Sequence, residues 1–429
     1  MARARSEALE TSDRPAVPRM LATPEQPGGL RDTLHLYREP LQRDPDHPDA
    51  LHHAGMLALQ GGRPVEALEL VNRALARLPG FAEAHNTRGS LLRARGRPDD
   101  AIGSYRQAIM LAPGDPLPWN NLGNALYELG RADEALRAYQ EAITRMPALA
   151  EAHLNRGIVL TEQGQHPEAL AAFASAVRIR PDFGLAHAAY GKALRGAGRL
   201  DEAIENLRRA VSLDGELTAA YCELGIALSE AGRYLDAADA LQAALALDPA
   251  RPEAHNGMGN VCKSLGYLDQ ALSAYRQALA ERPDYVDAHF NLGVLLADLH
   301  RPVEALASFR AALTFRPDHV KALAHMGAAQ LYLGRAAEAI AAFRRALALD
   351  PGLGLTWYQL GRALQQQGQS SEAARAYERA VAITPGDAEA HWRRALALLA
   401  AGDYRDAWTE YQWRWRVPEY QFESRSFAV

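Results

Sequence analysis

Fourteen histidines and two cysteines are the side chains of this 429-residue chain with the chemistry to ligate a metal or move protons. His85, His153, His187, His255, His289 and His391 share one register, which Leu51, Trp119, Tyr221, Leu323 and Trp357 hold elsewhere. A place that accepts leucine and tryptophan reads as a packing place, not a ligand. Cys222 and Cys262 lack zinc-ligand spacing, and no CxxC, HExxH, phosphate-loop or GxSxG pattern occurs. The residues therefore point to no catalytic group, no metal and no cofactor, and the chain itself is not expected to be an enzyme. What remains is a set of asparagines, Asn120, Asn121, Asn124, Asn155, Asn256, Asn260 and Asn291, with Lys263, Lys321 and His325 near the last of them. Asparagine is a mediocre helix former. Its amide carries both donors and an acceptor, which suits it to grip the main chain of an extended peptide.

These residues are placed by a repeat. The stretch from Trp119 to Pro147, WNNLGNALYELGRADEALRAYQEAITRMP, recurs every 34 residues without a slip. A fixed period of this size marks a stacked, solenoid architecture. Trp119, Leu122, Gly123 and Leu126 make one stripe of a first helix. Gly130 ends it, because glycine tolerates a left-handed backbone. A second helix follows from about Asp133 to Arg145, with Ala135, Leu136, Tyr139, Ala142 and Ile143 as its stripe, and Pro147 stops it. Gly123 and Ala135 are small so that the two helices approach closely. Tyr139 and its equivalents Phe173, Tyr275, Phe309 and Tyr377 are expected to fill the space between one repeat and the next. Two departures stand out. His300 replaces a turn glycine, which predicts a strained or differently closed turn, and Gly215 replaces a terminal proline.

This spacing closely resembles the tetratricopeptide repeat family. The resemblance implies an all-α, right-handed superhelical solenoid of antiparallel helix pairs. It divides the chain into a disordered segment at 1–29, a degenerate half repeat at 30–47, ten repeats over 48–387, and a diverged eleventh repeat with a tryptophan-rich end at 388–429. It also implies that the first helix of each pair lines an inner face. Residues two and three before the packing glycine, and one after it, should then look inward. Asn121, Asn155 and Asn291 resemble rungs of the asparagine ladder of O-linked N-acetylglucosamine transferases. Asn256, Asn260, Asn291, Lys321 and His325 resemble the carboxylate clamp of chaperone-binding members, although Asn256 stands where a lysine is expected and His325 where an arginine is. Trp408, Trp413 and Trp415 cluster where the pattern breaks after Tyr411. That segment resembles the junction to the glycosyltransferase-like domain of bacterial proteins of this type, and the same tryptophans are expected to cap the last hydrophobic face or to form a protein contact.

Charge and hydropathy narrow the partners. With 47 basic against 52 acidic residues the formal net charge is −5, which gives no basic footprint and argues against a nucleic-acid partner. No apolar run reaches the length of a membrane span, and the charged start has no apolar run behind it. Two cysteines without a disulfide framework fit a reducing compartment, so the cytoplasm is the expected location. The expected function is a scaffold that binds a protein or extended peptide on its inner face. The alternative is the non-catalytic recognition region of a protein glycosyltransferase. Self-association through the C-terminal end is a further expectation.

Overall fold

A computed structural model describes residues 44–417. The segment 1–29 and nearly all of the half repeat lie outside the described residues. The described chain is an all-α solenoid of paired antiparallel helices. In order they are α1 (Pro48–Gln60), α2 (Pro64–Arg77), α3 (Ala82–Ala94), α4 (Pro98–Leu111), α5 (Pro116–Glu128), α6 (Ala132–Arg145), α7 (Ala150–Glu162), α8 (His166–Ile179), α9 (Gly184–Gly196), α10 (Leu200–Leu213) and α11 (Thr218–Glu230). There follow α12 (Tyr234–Leu247), α13 (Pro252–Ser264), α14 (Leu268–Glu281), α15 (Val286–Asp298), α16 (Pro302–Phe315), α17 (Val320–Tyr332), α18 (Ala336–Leu349), α19 (Gly354–Gln366), α20 (Ser370–Ile383), α21 (Ala388–Ala401) and α22 (Tyr404–Tyr411), with a 3-10 turn at Gln412–Arg416. Two compact units divide at Glu223 and Leu224, inside α11. Unit 1 precedes that point and unit 2 follows it.

Local rules set the helix ends. Pro64, Pro98 and Pro302 open α2, α4 and α16, where the missing N–H costs nothing. Asp115 caps α5 and Asp387 caps α21 by accepting from backbone N–H groups at 2.9 and 3.1 Å. The turn after α5 closes through Gly130, at φ +73°, whose N–H reaches the Tyr127 carbonyl while the Arg131 N–H reaches that of Leu126, both at 2.9 Å. His300 makes the same two bonds, to Ala297 at 3.0 Å and through Arg301 to Leu296 at 2.9 Å, at φ +56°. The turn is therefore closed like the others and strained, because a Cβ is crowded in this region. His300→Gly is expected to raise stability by about 1 kcal/mol. A thermal melt of the variant that is no higher than the parent's would refute this.

The interior is built by pairing small against large within each hairpin. The Tyr139 ring lies directly on Gly123, and a Cβ there would meet the ring at 2.5 Å. Gly259 with Tyr275, Gly293 with Phe309, Gly327 with Phe343 and Gly361 with Tyr377 repeat the arrangement. Leu207 and Leu241 take the place of the ring against Gly191 and Gly225. The expectation that these aromatics chiefly bridge successive repeats is thus corrected: each ring first closes its own hairpin. It reaches the next hairpin through its rim, as Tyr139 does when it shares a cluster with Val159 of α7.

The shared histidine register carries more than packing. In all six histidines the Nε2–H donates to the carbonyl of the proline six residues earlier, at 2.8–3.1 Å. The Trp357 indole N–H does the same to Pro351 at 2.9 Å. A ring N–H at this reach satisfies a carbonyl left open at the turn between hairpins. The signal was present in the sequence: the polar-tipped occupants are mostly rings with an N–H.

Several histidines are held neutral. Burial pushes His52 down to about 4, with the neighbouring His53 adding to the effect against Glu83 and Asp49. Its ring packs edge-on to Phe81 at 4.9 Å and bonds the Thr87 hydroxyl at 2.8 Å. Burial also lowers His153 and His319, and the neutral Nδ1 of His319 accepts the Ala322 N–H that opens α17. For a histidine whose folded value is depressed, the unfolded chain binds the proton first. The stability it contributes is complete above about 6.5 and is lost as pH falls toward the folded value. The α1–α2 hairpin should therefore lose roughly 3 kcal/mol between about pH 6.5 and 4. Hydrogen exchange that stays equally slow in α1 at both ends of that window would contradict the prediction.

Candidate functional site

The sequence places its asparagines on the first helices, and the structure separates them into two kinds. In unit 1 most of them are turned into the wall. Asn155 of α7 donates to the side-chain oxygens of Asn120 at 3.1 Å and Asn124 at 3.0 Å, both on α5. The Tyr139 hydroxyl donates to the same Asn124 oxygen at 2.8 Å. Asn120, Asn124 and Asn155 are buried. The expectation that they look out from the inner face is corrected. Successive first helices run close enough for amides about one repeat apart to bond each other, so the Asn155 nitrogen is spent inside, while its Oδ1 is buried without a hydrogen-bond partner among the described residues. Asn121 is half-buried and donates to Asn86 of α3 at 3.0 Å.

In unit 2 the same chemistry leaves something over. Asn256 is buried and accepts from Asn291 at 3.0 Å, which removes it from the inner surface. Asn260 accepts from the Tyr275 hydroxyl at 2.7 Å. These two bonds use the oxygen of Asn260 and the nitrogen of Asn291. One donor group, Asn260 Nδ2, and one acceptor, Asn291 Oδ1, remain without a hydrogen-bond partner among the described residues.

Both asparagines line a cavity of about 660 Å³ between α13, α15, α17 and the start of α19. Lys263, Lys321 and His325 line it as well. Five of the residues singled out in the sequence therefore meet in one place. Lys263 is tied to Asp298 at 2.8 Å. Lys321 is exposed and makes no ion pair among the described residues. The His325 ring stands edge-on to Phe290 at 5.4 Å and tilted to Phe309 at 5.8 Å. This crowding holds it below the ordinary histidine value; Asp298 opposes the shift, and Lys263 and Lys321 reinforce it. The imidazole is thus neutral near pH 7, beside two ammonium groups.

The opposite wall is apolar, formed by Phe290, Val294, Ala324, Leu353 and Leu355. Choosing residues for their polarity missed it. The register rule itself reaches it: Phe290 and Ala324 lie three residues before Gly293 and Gly327, and Val294 lies one after Gly293. Among the described residues no group of three or more His, Cys, Asp or Glu converges to hold a metal, and no helix is long and apolar enough to cross a membrane. Cys222 and Cys262 are buried thiols, not joined in a disulfide.

The tryptophans at the C-terminal end divide too. Trp413 lies flat on His391, with centroids 3.9 Å apart and planes 1° from parallel. His391 also meets Glu410, which Arg394 holds at 2.7 Å. Arg414 is stacked on Tyr411 and Trp415 at 4.3 and 4.1 Å, and Val417 is buried beside Trp392. The segment after Tyr411 is therefore folded back on α21, while Trp408 and Trp415 keep much of their surface exposed.

Sequence comparison matches a tetratricopeptide repeat model to residues 28–80, 54–116, 120–182, 222–266 and 358–412. A related TPR repeat model matches 191–232 and 259–299, and a further tetratricopeptide repeat model matches 320–353. No curated protein matches the chain. Among solved structures, the APC/C hetero-tetramer Cut9-Hcn1 is 14% identical, covering 91% of this chain and 91% of that one at a TM-score of 0.51. Pseudomonas aeruginosa PilF is 21% identical over 49% of this chain and 96% of its own, with a TM-score of 0.44. The human IFIT1 dimer with m7Gppp-AAAA is 17% identical over 80% of this chain and 93% of its own, with a TM-score of 0.50. These likenesses concern the fold. None singles out the glycosyltransferase-associated subtype. The IFIT1 structure corrects one expectation: a chain of this fold is solved with a nucleic-acid ligand, so near-neutral net charge does not rule out that class of partner. Net charge sums over the whole chain and says nothing about a local surface.

Proposed function

The chain belongs to the tetratricopeptide repeat family, and from that premise we propose that it is a non-covalent scaffold holding an extended segment of a partner protein in the unit 2 groove. The supporting observation is the leftover pair, Asn260 Nδ2 and Asn291 Oδ1, beside a cavity of about 660 Å³. One donor and one acceptor match the carbonyl and N–H of a peptide main chain, whatever its side chains. The apolar wall of Phe290, Val294 and Leu355 supplies a pocket for alternate side chains, and the two terms together are how extended segments are held. Lys321 and His325 border the same space without structural hydrogen bonds of their own, so they are available to the ligand. The buried thiols of Cys222 and Cys262 fit a reducing compartment, which supports a cytoplasmic setting.

Peptides selected by the full chain from a displayed random library provide the test. The Lys321→Ala, His325→Ala double variant should keep its helical circular dichroism and bind a selected peptide at least about tenfold more weakly. N-methylation of the peptide's central amides should weaken binding as well. Equal affinities for the variant and for the methylated peptide would remove the groove as the binding site.

A further inference from the structure

Within the shared histidine register, His391 is surrounded differently. The Nε2–H of every member donates to a proline carbonyl, and His85 and His153 leave Nδ1 without a partner. The Nδ1 of His187 meets the side-chain amide of Asn206 at 2.9 Å. An amide can turn its NH2 group to that nitrogen, so a neutral imidazole is satisfied there. The Nδ1 of His391 meets Glu410, which stands in the register of Asn206 two hairpins and more along the chain. A carboxylate offers acceptors only. Arg394 pairs with the other oxygen of Glu410 at 2.7 Å, so the group enters this contact as an anion. With Nε2 facing the Pro385 carbonyl at 3.0 Å, both ring nitrogens of His391 face acceptors. Only the imidazolium can donate to both.

The neighbours suit that charge. His391 is buried, and Trp413 lies flat on it at 3.9 Å. The face of an indole attracts a cation. Arg394 also reaches Glu378 of α20 at 3.1 Å, so two carboxylates and two cations meet at this end. Arg416 lies 4.4 Å from the centre of the Trp413 ring. Asp387, one turn before His391, is engaged by the Ala390 N–H at 3.1 Å. Trp413 belongs to the turn at Gln412–Arg416, and the turn leads to Val417, buried against Trp392. His391 is thus the point where α21, α22 and the turn are tied together.

We propose that His391 and Glu410 form a proton-operated latch, which holds residues 412–417 on α21 in acid and releases them as pH rises. Losing the proton removes one of the two donors and sets a lone pair against either the Glu410 carboxylate or the Pro385 carbonyl. It also removes the cation from the face of Trp413. Both changes weaken the same contact, so the segment opens in the alkaline direction. This is the reverse of His52, whose hairpin weakens in acid. Tyr411 packs edge-on to both Trp392 and Trp408, and Trp408 is already exposed. An open latch adds the rings of Trp392 and Trp413 to that surface. The proton therefore sets how much aromatic surface this end of unit 2 presents.

Hydrogen exchange at residues 412–417 of the full chain tests the latch, once the intrinsic pH dependence of the amide rate is divided out. Between about pH 6 and about pH 8 the corrected rate should rise at least about fivefold in the parent. Glu410→Gln recreates the Asn206 arrangement, in which a neutral imidazole is satisfied. Its corrected rate should not change over the same range. Nitrogen-15 NMR of the histidine-labelled parent, with the signal assigned through His391→Gln, should show both His391 nitrogens protonated at about pH 6. A single protonated nitrogen there overturns the proposal, and this measurement on the parent decides even if Glu410→Gln fails to fold. A parent rate that ignores pH, or an equal pH response in parent and Glu410→Gln, overturns it as well.

Discussion

Gly123→Ala will destabilise the α5–α6 hairpin by about 2 kcal/mol, although alanine is the better helix former by roughly 1 kcal/mol. The new Cβ would stand 2.5, 2.7 and 2.9 Å from three carbons of the Tyr139 ring. Real side chains do not tolerate such distances, so the ring or the helix must move. The ring is poorly placed to give way. It is 1% exposed, and its hydroxyl is tied to Asn124, which is itself bonded to Asn155. Shifting Tyr139 therefore strains the contact between α5 and α7 as well. In an array whose stability is summed over neighbours, damage at one hairpin spreads to the adjoining interface. Hydrogen exchange in α5 and α6 should be faster than in the parent, by more than in the distant hairpins of the same unit. The control is Gly103→Ala in α4, where nothing lies within 4 Å of the added methyl. That exposed site should gain up to about 1 kcal/mol from helix propensity alone. If both substitutions slow exchange, close approach at Gly123 is not what fixes its residue type.

Asn155→Asp will cost about 3 kcal/mol or more at neutral pH. The amide nitrogen of Asn155 faces two oxygens, those of Asn120 and Asn124, at 3.1 and 3.0 Å. Tyr139 fixes the Asn124 oxygen in that direction by donating to it. A carboxylate in place of the amide sets oxygen against oxygen in a site where Asn155 is 4% exposed. The charge is thus desolvated and meets acceptors instead of donors, and both causes raise the folded pKa of the new carboxyl. The sign follows. When the folded value is raised, the native state binds the proton more tightly than the unfolded chain. The penalty is then small below the unfolded value of about 4 and grows as pH rises toward the folded one. The stability difference between variant and parent should therefore shrink on acidification, even while both lose the contribution of their neutral histidines. Chemical denaturation at two pH values on either side of that window reads the difference directly. A constant difference would mean that the carboxylate has found a donor or water.

Period, helix pairing and turn chemistry were legible in the sequence because each is local. Gly130 needs only its own backbone angle, and Pro302 only its own missing N–H. The match of Gly123 to Tyr139 is nearly local too, because both belong to one hairpin. The asparagines were not legible in this way. Asn155 and Asn291 carry the same side chain in the same register, two residues before the packing glycine. One is sealed between its neighbours, and the other keeps an oxygen on the edge of a cavity. The same pair of asparagines stands one repeat earlier in each case, Asn120 with Asn124 and Asn256 with Asn260, yet Asn155 donates to both members and Asn291 to Asn256. The apolar wall was missed for a related reason. Leu355 acquires its role from α15 and α17, not from its own helix. Sequence by itself determined the solenoid, because its rules act within a turn or a hairpin. Tertiary structure alone decided which polar atoms were left without a hydrogen-bond partner, because a hydrogen bond to a neighbouring repeat consumes a donor or acceptor that the sequence shows only as an amide.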